Sequence, residues 1–150
     1  MQVKKFLRKQ QKKKGFVFLR GKSVAVLVII NQKFIALTRQ FRVPAGQWML
    51  EVPAGMIDEN GNFIGVAAKE LQEETGIIVK EENLNFLGSF YSSPGGSDEE
   101  VLMYFVEQQM SEKEIKEIQN KNFGDHSEEI TIILKEINES NFKLKKGANM

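Results

Sequence analysis

The stretch that decides the fold is "ELQEETG", Glu70–Gly76, which places three carboxylates within five residues. At about 100° of rotation per residue, the sequence predicts a helix from Phe63 to Thr75. Its apolar stripe is expected to contain Ile64, Ala67, Ala68, Leu71 and Thr75. Glu70, Glu73 and Glu74 fall in one sector beside that stripe, where like charges repel and lose part of their hydration. A solvated acidic face is the simpler explanation, but a divalent cation would relieve the repulsion directly.

Composition limits the classes of protein to which the chain can belong. The 150 residues include no cysteine, which excludes disulfides and thiolate metal sites. Any metal would therefore take oxygen ligands or His126. The longest apolar run, "VAVLVII" at Val24–Ile30, is far shorter than the roughly 20 residues of a membrane helix and fits a buried strand. We expect a protein without a membrane span and with an intracellular, cytoplasmic location.

Charge is distributed unevenly along the chain. Seven of the 21 basic residues and no acid lie in residues 1–14, so the remainder carries 14 bases against 20 acids. We expect residues 1–14 to form a disordered basic tail and residues 15–150 to form one domain. Organelle import and RNA binding are alternative roles for the tail. The acidic body argues against a broad nucleic-acid surface.

Strand patterns surround this single long helix. They are expected at Gly15–Leu19, Ser23–Ile30, Lys33–Phe41, Trp48–Val52, Asn83–Ser93, Glu100–Gln109 and Ile130–Ile137, with a short helix in 111–121. The segment "PAGMIDENGN", residues 53–62, is expected to be a loop. The mixed order predicts an α+β fold or an α/β sandwich rather than regular βαβ winding.

Read with its flanks, the helix resembles a known motif. The stretch "GMIDENGNFIGVAAKELQEETGI", residues 55–77, resembles the Nudix box G-x5-E-x7-R-E-U-x-E-E-x-G-U, where U is a bulky aliphatic residue. The positions in register are Gly55, Glu70, Leu71, Glu73, Glu74, Gly76 and Ile77. Two positions depart from the pattern. Lys69 replaces Arg, which keeps the charge but loses the bidentate fork, and Gly61 replaces the first Glu, for which Glu59 is a nearby substitute.

Two further segments narrow the resemblance. "EVPAG" at residues 51–55 and "SSPGGSDEE" at 92–100 are similar to segments of ADP-ribose and ADP-sugar pyrophosphatases, especially those of the plant ADP-sugar type. The similarity runs from Val24 to Ile137. It implies the Nudix fold, which is an α+β fold of the α/β/α sandwich type with a mixed β-sheet and a central catalytic helix. It also implies that two copies of the chain form a homodimer. The chain ends where the C-terminal helix of that fold is expected to begin.

The resemblance also implies roles for individual residues. For Mg²⁺, with Mn²⁺ as the alternative, the implied ligands are Glu70, Glu74, Glu73 and the backbone carbonyl of Ala54. The implied catalytic residues are Glu128 and Glu73, and Glu129 is the rival of Glu128. The implied contacts with substrate phosphates are Arg42 and Arg39, and those near the nucleotide and ribose are Glu51 and Glu99. Trp48 either stacks on a base or packs between strands.

The function implied by this resemblance is hydrolysis of a nucleoside diphosphate sugar, such as ADP-ribose or ADP-glucose. The products would be a nucleoside monophosphate and a sugar phosphate. One alternative is a different nucleoside diphosphate derivative, such as a dinucleoside polyphosphate or NADH. Another is a non-catalytic module that binds nucleotide or RNA, for which Gly61 and the basic tail are the supporting features. Three intact box glutamates favour an enzyme.

Overall fold

The computed structural model describes residues 6–8, 11–13, 15–57, 62–123 and 129–137. It contains two α-helices, α1 (Phe63–Thr75) and α2 (Glu112–Ile118). The strands are β1 (Phe6–Arg8), β2 (Gln11–Lys13), β3 (Lys22–Ile30), β4 (Phe34–Arg42), β5 (Gln47–Glu51), β6 (Ala54–Met56), β7 (Asn85–Tyr91), β8 (Glu100–Gln108), β9 (Asn122–Phe123) and β10 (Ile130–Glu136). The predicted long helix and the predicted strands from β3 onwards are confirmed, with shifts of one or two residues at their ends.

Eight of the strands form one mixed sheet. Its order is β7-β8-β3-β4-β10-β9, with β5 paired to β4 and β6 paired to β3. β3 runs parallel to β8, and the other pairings in this sheet are antiparallel. β3 and β8 are the most apolar strands, and they lie inside the sheet because burial of their side chains is favourable. The α+β fold predicted from the order of elements is confirmed.

The core lies between α1 and one face of this sheet. Alternate residues of β3 and β8 point toward the helix, as strand geometry requires. They are Val24, Val26, Val28, Ile30, Leu102, Tyr104 and Val106, and each is at most 8% exposed. From α1, Ala67, Leu71 and Thr75 are buried. The prediction that Ile64 belongs to this stripe is wrong, since Ile64 is 36% exposed. It lies in the first turn, before the buried stripe begins, and there Phe63 and Val66 pack against the core instead.

Both ends of α1 are defined by local chemistry. The Asn62 side chain caps the first turn by accepting a hydrogen bond from the Gly65 amide at 3.1 Å. At the other end Gly76 adopts a left-handed conformation with φ 71°, and its amide donates to the Gln72 carbonyl. The Phe123 ring lies 2.8 Å from the position that a Cβ on Gly76 would occupy. Glycine is therefore favoured at position 76 for two reasons: it tolerates the left-handed conformation, and it leaves space for the Phe123 ring of β9.

Two local expectations are wrong. Residues 15–19 do not form a strand, and only Phe18 makes a bridge, to Ser97. Phe16 and Phe18 are 72% and 62% exposed. The apolar pattern of this segment predicted a strand, but a strand forms only where a neighbouring strand pairs with it. Within the expected loop 53–62, residues Ala54–Met56 instead form β6. The Val26 amide donates to the Pro53 carbonyl at 2.9 Å and brings this segment onto β3.

The basic segment contains two short strands, since β1 and β2 pair in an antiparallel ribbon. These strands account for six positions, and the rest of 1–14 lies outside the described residues. The disorder expected of this segment therefore stays a prediction. Across the part of the chain that the structure describes, neither helix is long and apolar enough to span a membrane.

Asn31 connects two distant turns and supplies a first test. It has φ 51°, its Nδ2 donates to the Met110 carbonyl at 2.7 Å, and its Oδ1 accepts from the Met110 amide at 2.9 Å. We expect Asn31→Ala to lower the free energy of unfolding, measured in urea, by about 2–3 kcal/mol. Alanine cannot form the two side-chain hydrogen bonds, and it adopts the left-handed backbone conformation less readily than asparagine. Asn31→Gly keeps the turn conformation and should lose less. Equal losses would contradict a contribution from the backbone conformation.

Candidate active site

Two of the helix carboxylates are directed against strand β6. The carboxylate of Glu70 occupies the space that a Cβ on Gly55 would fill. One residue earlier, the Ala54 amide donates to Oε2 of Glu74 at 3.0 Å. Both glutamates are half-buried, whereas a helix facing solvent would expose them. Consecutive backbone positions of β6 therefore bring these two carboxylates together at the edge of the core.

Glu73 is directed elsewhere. Its carboxylate pairs with the Lys69 ammonium at 3.3 Å, and the side chains of Lys69 and Glu73 are 67% and 56% exposed. The structure thus separates Glu73 from Glu70 and Glu74, although the sequence predicted all three in one half-buried sector. In residues 15–57, 62–123 and 129–137, no group of three acidic or histidine side chains is arranged to bind a metal ion.

The pair Glu70 and Glu74 nevertheless fits a hard divalent cation. Magnesium is commonly bound by one or two protein carboxylates, and water and substrate phosphates complete its octahedral shell. The space over Gly55 accepts a carboxylate because that residue has no side chain. The donor set is therefore suited to a cation that is shared with a phosphate ligand. The role of the Ala54 carbonyl and that of Glu73 as ligands stay predictions.

The predicted substrate residues Arg42 and Glu51 bind each other. Nε of Arg42 donates to Oε1 and Oε2 of Glu51 at 3.0 and 3.2 Å, and Nη2 donates to Oε2 at 2.6 Å. Arg42 lies at the end of β4 on the face that carries the buried Ala36, which is the face toward α1. A forked pair of this kind fixes the plane of the guanidinium. The arrangement can present an oriented cation to a phosphate on the same face as Glu70 and Glu74.

Arg39 lies on the other face of β4, because odd and even residues of a strand point in opposite directions. Its guanidinium lies over the Trp48 ring at 4.2 Å from the ring centroid. Trp48 also meets Phe41 edge-on, with ring centroids 5.7 Å apart. The structure therefore does not bring Arg39 and Arg42 together. Trp48 packs between Arg39 and Phe41 on the outer face of the hairpin, although 42% of it remains exposed.

Glu99 is placed on the far side of β3 from β4, next to the start of β8. Its carboxylate pairs with Nε of Arg20 at 2.9 Å and accepts from the Ser92 hydroxyl at 2.7 Å. The neighbouring Asp98 accepts hydrogen bonds from the amides of Arg20 and Gly21 and so fixes the segment that carries Arg20. Sequence reasoning missed Arg20, because its partner is 79 positions away and the pairing follows only from the sheet topology.

The next residue, Glu100, joins three strands. Its carboxylate accepts from the Ser89 hydroxyl at 2.8 Å and pairs with the Lys22 ammonium at 3.0 Å. The hydrogen bond from Ser89, followed by that from Lys22, lowers the pKa of Glu100 below its ordinary value. The Lys22 ammonium also lies 5.6 Å from the centroid of the Phe63 ring, at the first residue of α1. This cluster ties the edge of the sheet to the start of the helix.

The second candidate region is the segment before β10. Glu128, like His126, Glu59 and Gly61, lies outside the described residues. Glu129 is exposed and directly precedes the buried Ile130, which pairs with Gln40 in β4 and with Phe123 in β9. The choice between Glu128 and Glu129 therefore stays open. Gln40, which sequence reasoning did not single out, lies on the face of β4 that carries Arg42.

This chain is similar to a known family of proteins. A model of the NUDIX domain matches residues 19–143. The chain is 39% identical over 139 residues to Nudix hydrolase 14, chloroplastic, of Arabidopsis thaliana, covering 83% of this chain and 45% of that protein. It is 34% identical over 101 residues to an ADP-ribose pyrophosphatase of Bacillus subtilis, covering 67% and 54%. A methanol dehydrogenase activator of Bacillus methanolicus is 37% identical over 92 residues, covering 61% and 48%. The chain spans about half the length of these curated relatives.

The contact between Glu70 and Gly55 can be tested by adding one methyl group. Gly55→Ala would place its Cβ on the Glu70 carboxylate, so the carboxylate must move from its position against β6. We expect the free energy of unfolding to fall by about 1 kcal/mol, at the lower end of the cost of overpacking because the end of the Glu70 side chain can move, as measured by urea denaturation. Gly95→Ala is the matched control, because nothing lies within 4 Å of its Cβ position. Equal effects of the two substitutions would contradict the close approach.

The Glu100 cluster predicts a pH dependence. Because the pKa of Glu100 is lowered in the folded protein, its ionised form stabilises the fold above the ordinary glutamate pKa of about 4.3. This stabilisation is lost as the pH falls through the lowered pKa. Ser89→Ala should therefore destabilise the protein at neutral pH, and the effect should shrink in acid when unfolding is followed at several pH values. In a Glu100→Gln background the effect of Ser89→Ala should not vary with pH.

Proposed function

We propose, since the chain belongs to the Nudix family, that it hydrolyses the diphosphate of a nucleoside diphosphate sugar. ADP-ribose and ADP-glucose are the first candidates, and the products are a nucleoside monophosphate and a sugar phosphate. The observation that carries the proposal is the convergence of Glu70 and Glu74 on Ala54–Gly55, on the same face as Arg42. The name of one relative, an ADP-ribose pyrophosphatase, supports this substrate class.

Glu70 and Glu74 would hold a divalent cation, Mg²⁺ or Mn²⁺. When bound, such a cation neutralises phosphate charge and lowers the pKa of a coordinated water. The two carboxylates are suited to this task because they are half-buried on neighbouring turns of α1, and a cation between them would offset the repulsion of their charges. Neither needs to change its rotamer to face β6. The backbone of β6 and its pairing with β3 set their position.

Arg42 would bind a phosphate of the substrate. Glu51 already fixes the orientation of its guanidinium, so little side-chain freedom remains to be lost on binding. A planar guanidinium also matches the geometry of phosphate oxygens better than an ammonium does. Glu51 would thus act on the phosphate through Arg42, which makes it a positioning residue in this proposal.

Glu128, or Glu129 as its alternative, would accept the proton of the attacking water. A positioned general base of this kind contributes roughly 10²–10⁴-fold to a rate. Phe123 and Ile130 are described residues on either side of Glu128, and both lie on strands of the sheet. Phe123 packs at the C-terminus of α1 and Ile130 pairs with β4, so both lie near the elements that carry the carboxylates and Arg42.

The proposal predicts a defined product. Purified protein with ADP-ribose and Mg²⁺ should release AMP and ribose 5-phosphate, as followed by chromatography, and EDTA should stop the release. Glu70→Gln should lower kcat/KM by roughly 100-fold or more, because a ligand charge is lost while the side-chain volume is kept. Glu117→Gln is the matched control, since Glu117 lies on α2 in an exposed pair with Lys113.

Two outcomes would reject this function. One is the absence of turnover with ADP-ribose, ADP-glucose and UDP-glucose in the presence of either Mg²⁺ or Mn²⁺. The other is turnover that Glu70→Gln and Glu117→Gln affect equally. Unfolding should be measured for both variants, so that a loss of activity is not confused with a loss of structure.

A further inference from the structure

A largely buried glutamine residue lies close to the proposed site and has no role in the mechanism above. The buried polar residues in the described part of the chain are Ser23, Thr38, Gln40 and Thr75. The hydroxyls of Thr38 and Thr75 donate to the backbone carbonyls of Glu51 and Leu71. Gln40 is only 9% exposed, and no hydrogen bond joins its side chain to another described residue. A side-chain amide can donate two hydrogen bonds and accept two, so the Gln40 amide can bind a ligand that has hydrogen-bonding groups.

Strand geometry directs Gln40 toward the site. Gln40 lies between Thr38 and Arg42 on β4, and alternate residues of a strand share a face. It pairs with Met49 of β5 and with Ile130 of β10. Arg42 pairs with the Glu51 carboxylate from the same face, and the Thr38 hydroxyl donates a hydrogen bond to the Glu51 backbone carbonyl. The Gln40 amide is thus in the middle of a polar row, defined as Thr38, Gln40 and Arg42.

The polar end of Gln40 reaches the surface of the site. Among the described residues, no fully buried side-chain nitrogen or oxygen lacks a hydrogen-bond partner. The small exposed fraction of Gln40 therefore includes its amide. The chain thus fixes the position of an amide that keeps its hydrogen-bonding groups available to a ligand.

The position is costly for a glutamine. Burial that limits the access of water to an amide without giving it a protein partner opposes folding, and an apolar residue of similar size would avoid the cost. The same strand carries the apolar Ala36 farther along this face, where it packs in the core. A residue that is unfavourable for folding but lies beside charged groups of a site is typical of a position kept for ligand binding.

We propose that the Gln40 side chain binds a sugar hydroxyl of the diphosphate substrate and so helps to select sugar-bearing substrates. A hydroxyl donates one hydrogen bond and accepts others, which matches an amide. Arg42, a donor without an acceptor, instead matches a phosphate. This inference rests on the proposed function, because it takes the substrate class from it. It adds a specificity-determining residue that is distinct from the metal-binding and phosphate-binding groups.

The test compares two buried polar positions. Gln40→Leu removes the amide and keeps most of the volume, and Ser23→Ala removes a buried hydroxyl on the opposite face of the sheet. Binding of ADP-ribose is measured by calorimetry without divalent cations, and stability by thermal unfolding. We expect Gln40→Leu to weaken binding about tenfold, consistent with the loss of a buried hydrogen bond, while its Tm stays equal or rises. Ser23→Ala should leave binding unchanged.

A second arm separates hydroxyl from phosphate. Methylenediphosphonate has the phosphate charges and no sugar, and its Ki against ADP-ribose hydrolysis should be the same for the wild type and Gln40→Leu. Unchanged ADP-ribose binding in Gln40→Leu, a lowered Tm together with weaker binding, or a parallel rise in Ki would each overturn the inference. If the wild type binds ADP-ribose without hydrolysing it, the proposed function fails, and the binding comparison still decides the role of Gln40.

Discussion

The close approach of α1 to β6 at Gly55 is the constraint on which the site depends. The Glu70 carboxylate occupies the space that a side chain at position 55 would fill, so glycine at this position lets the carboxylate lie directly against the backbone of β6. The apolar contacts of Ala67 and Leu71 hold the helix against the sheet at this distance. Hydrophobic packing supplies the free energy that holds α1 against the sheet, and Gly55 leaves the space in which the Glu70 carboxylate lies.

The alternation of β4 divides the hairpin into two surfaces with different chemistry. Its even-numbered residues face α1 and change from apolar Ala36, in the core, to charged Arg42, which pairs with Glu51. Its odd-numbered residues Arg39 and Phe41 face outward and meet Trp48. One strand thus continues the core into the site on one side and forms an aromatic and cationic surface on the other. Two arginines three positions apart consequently have unrelated surroundings.

The same distinction explains what the sequence could predict. The helix, its stop at Gly76 and the central strands follow from periodicity and local conformational preference, which are properties of neighbouring residues. The failures of prediction concern contacts between distant segments. β6 exists only because β3 is available to pair with it, and Arg20 meets Glu99 only across the sheet. The ion pair of Lys69 with Glu73 is local, since the two residues are four positions apart on the helix, but spacing along the helix could not show that Glu74 would accept a hydrogen bond from the Ala54 amide.

Electrostatics connects these parts to the proposed chemistry. Glu51, Glu70 and Glu74 carry three negative charges, and Arg42 carries one positive charge, so these four groups together are negative at neutral pH. A diphosphate is also an anion, and half-buried groups are screened less than exposed ones. Arg42 is already paired with Glu51 and cannot by itself reverse the sign of this surface. A divalent cation between Glu70 and Glu74 would add positive charge to this face and so strengthen the attraction of a diphosphate.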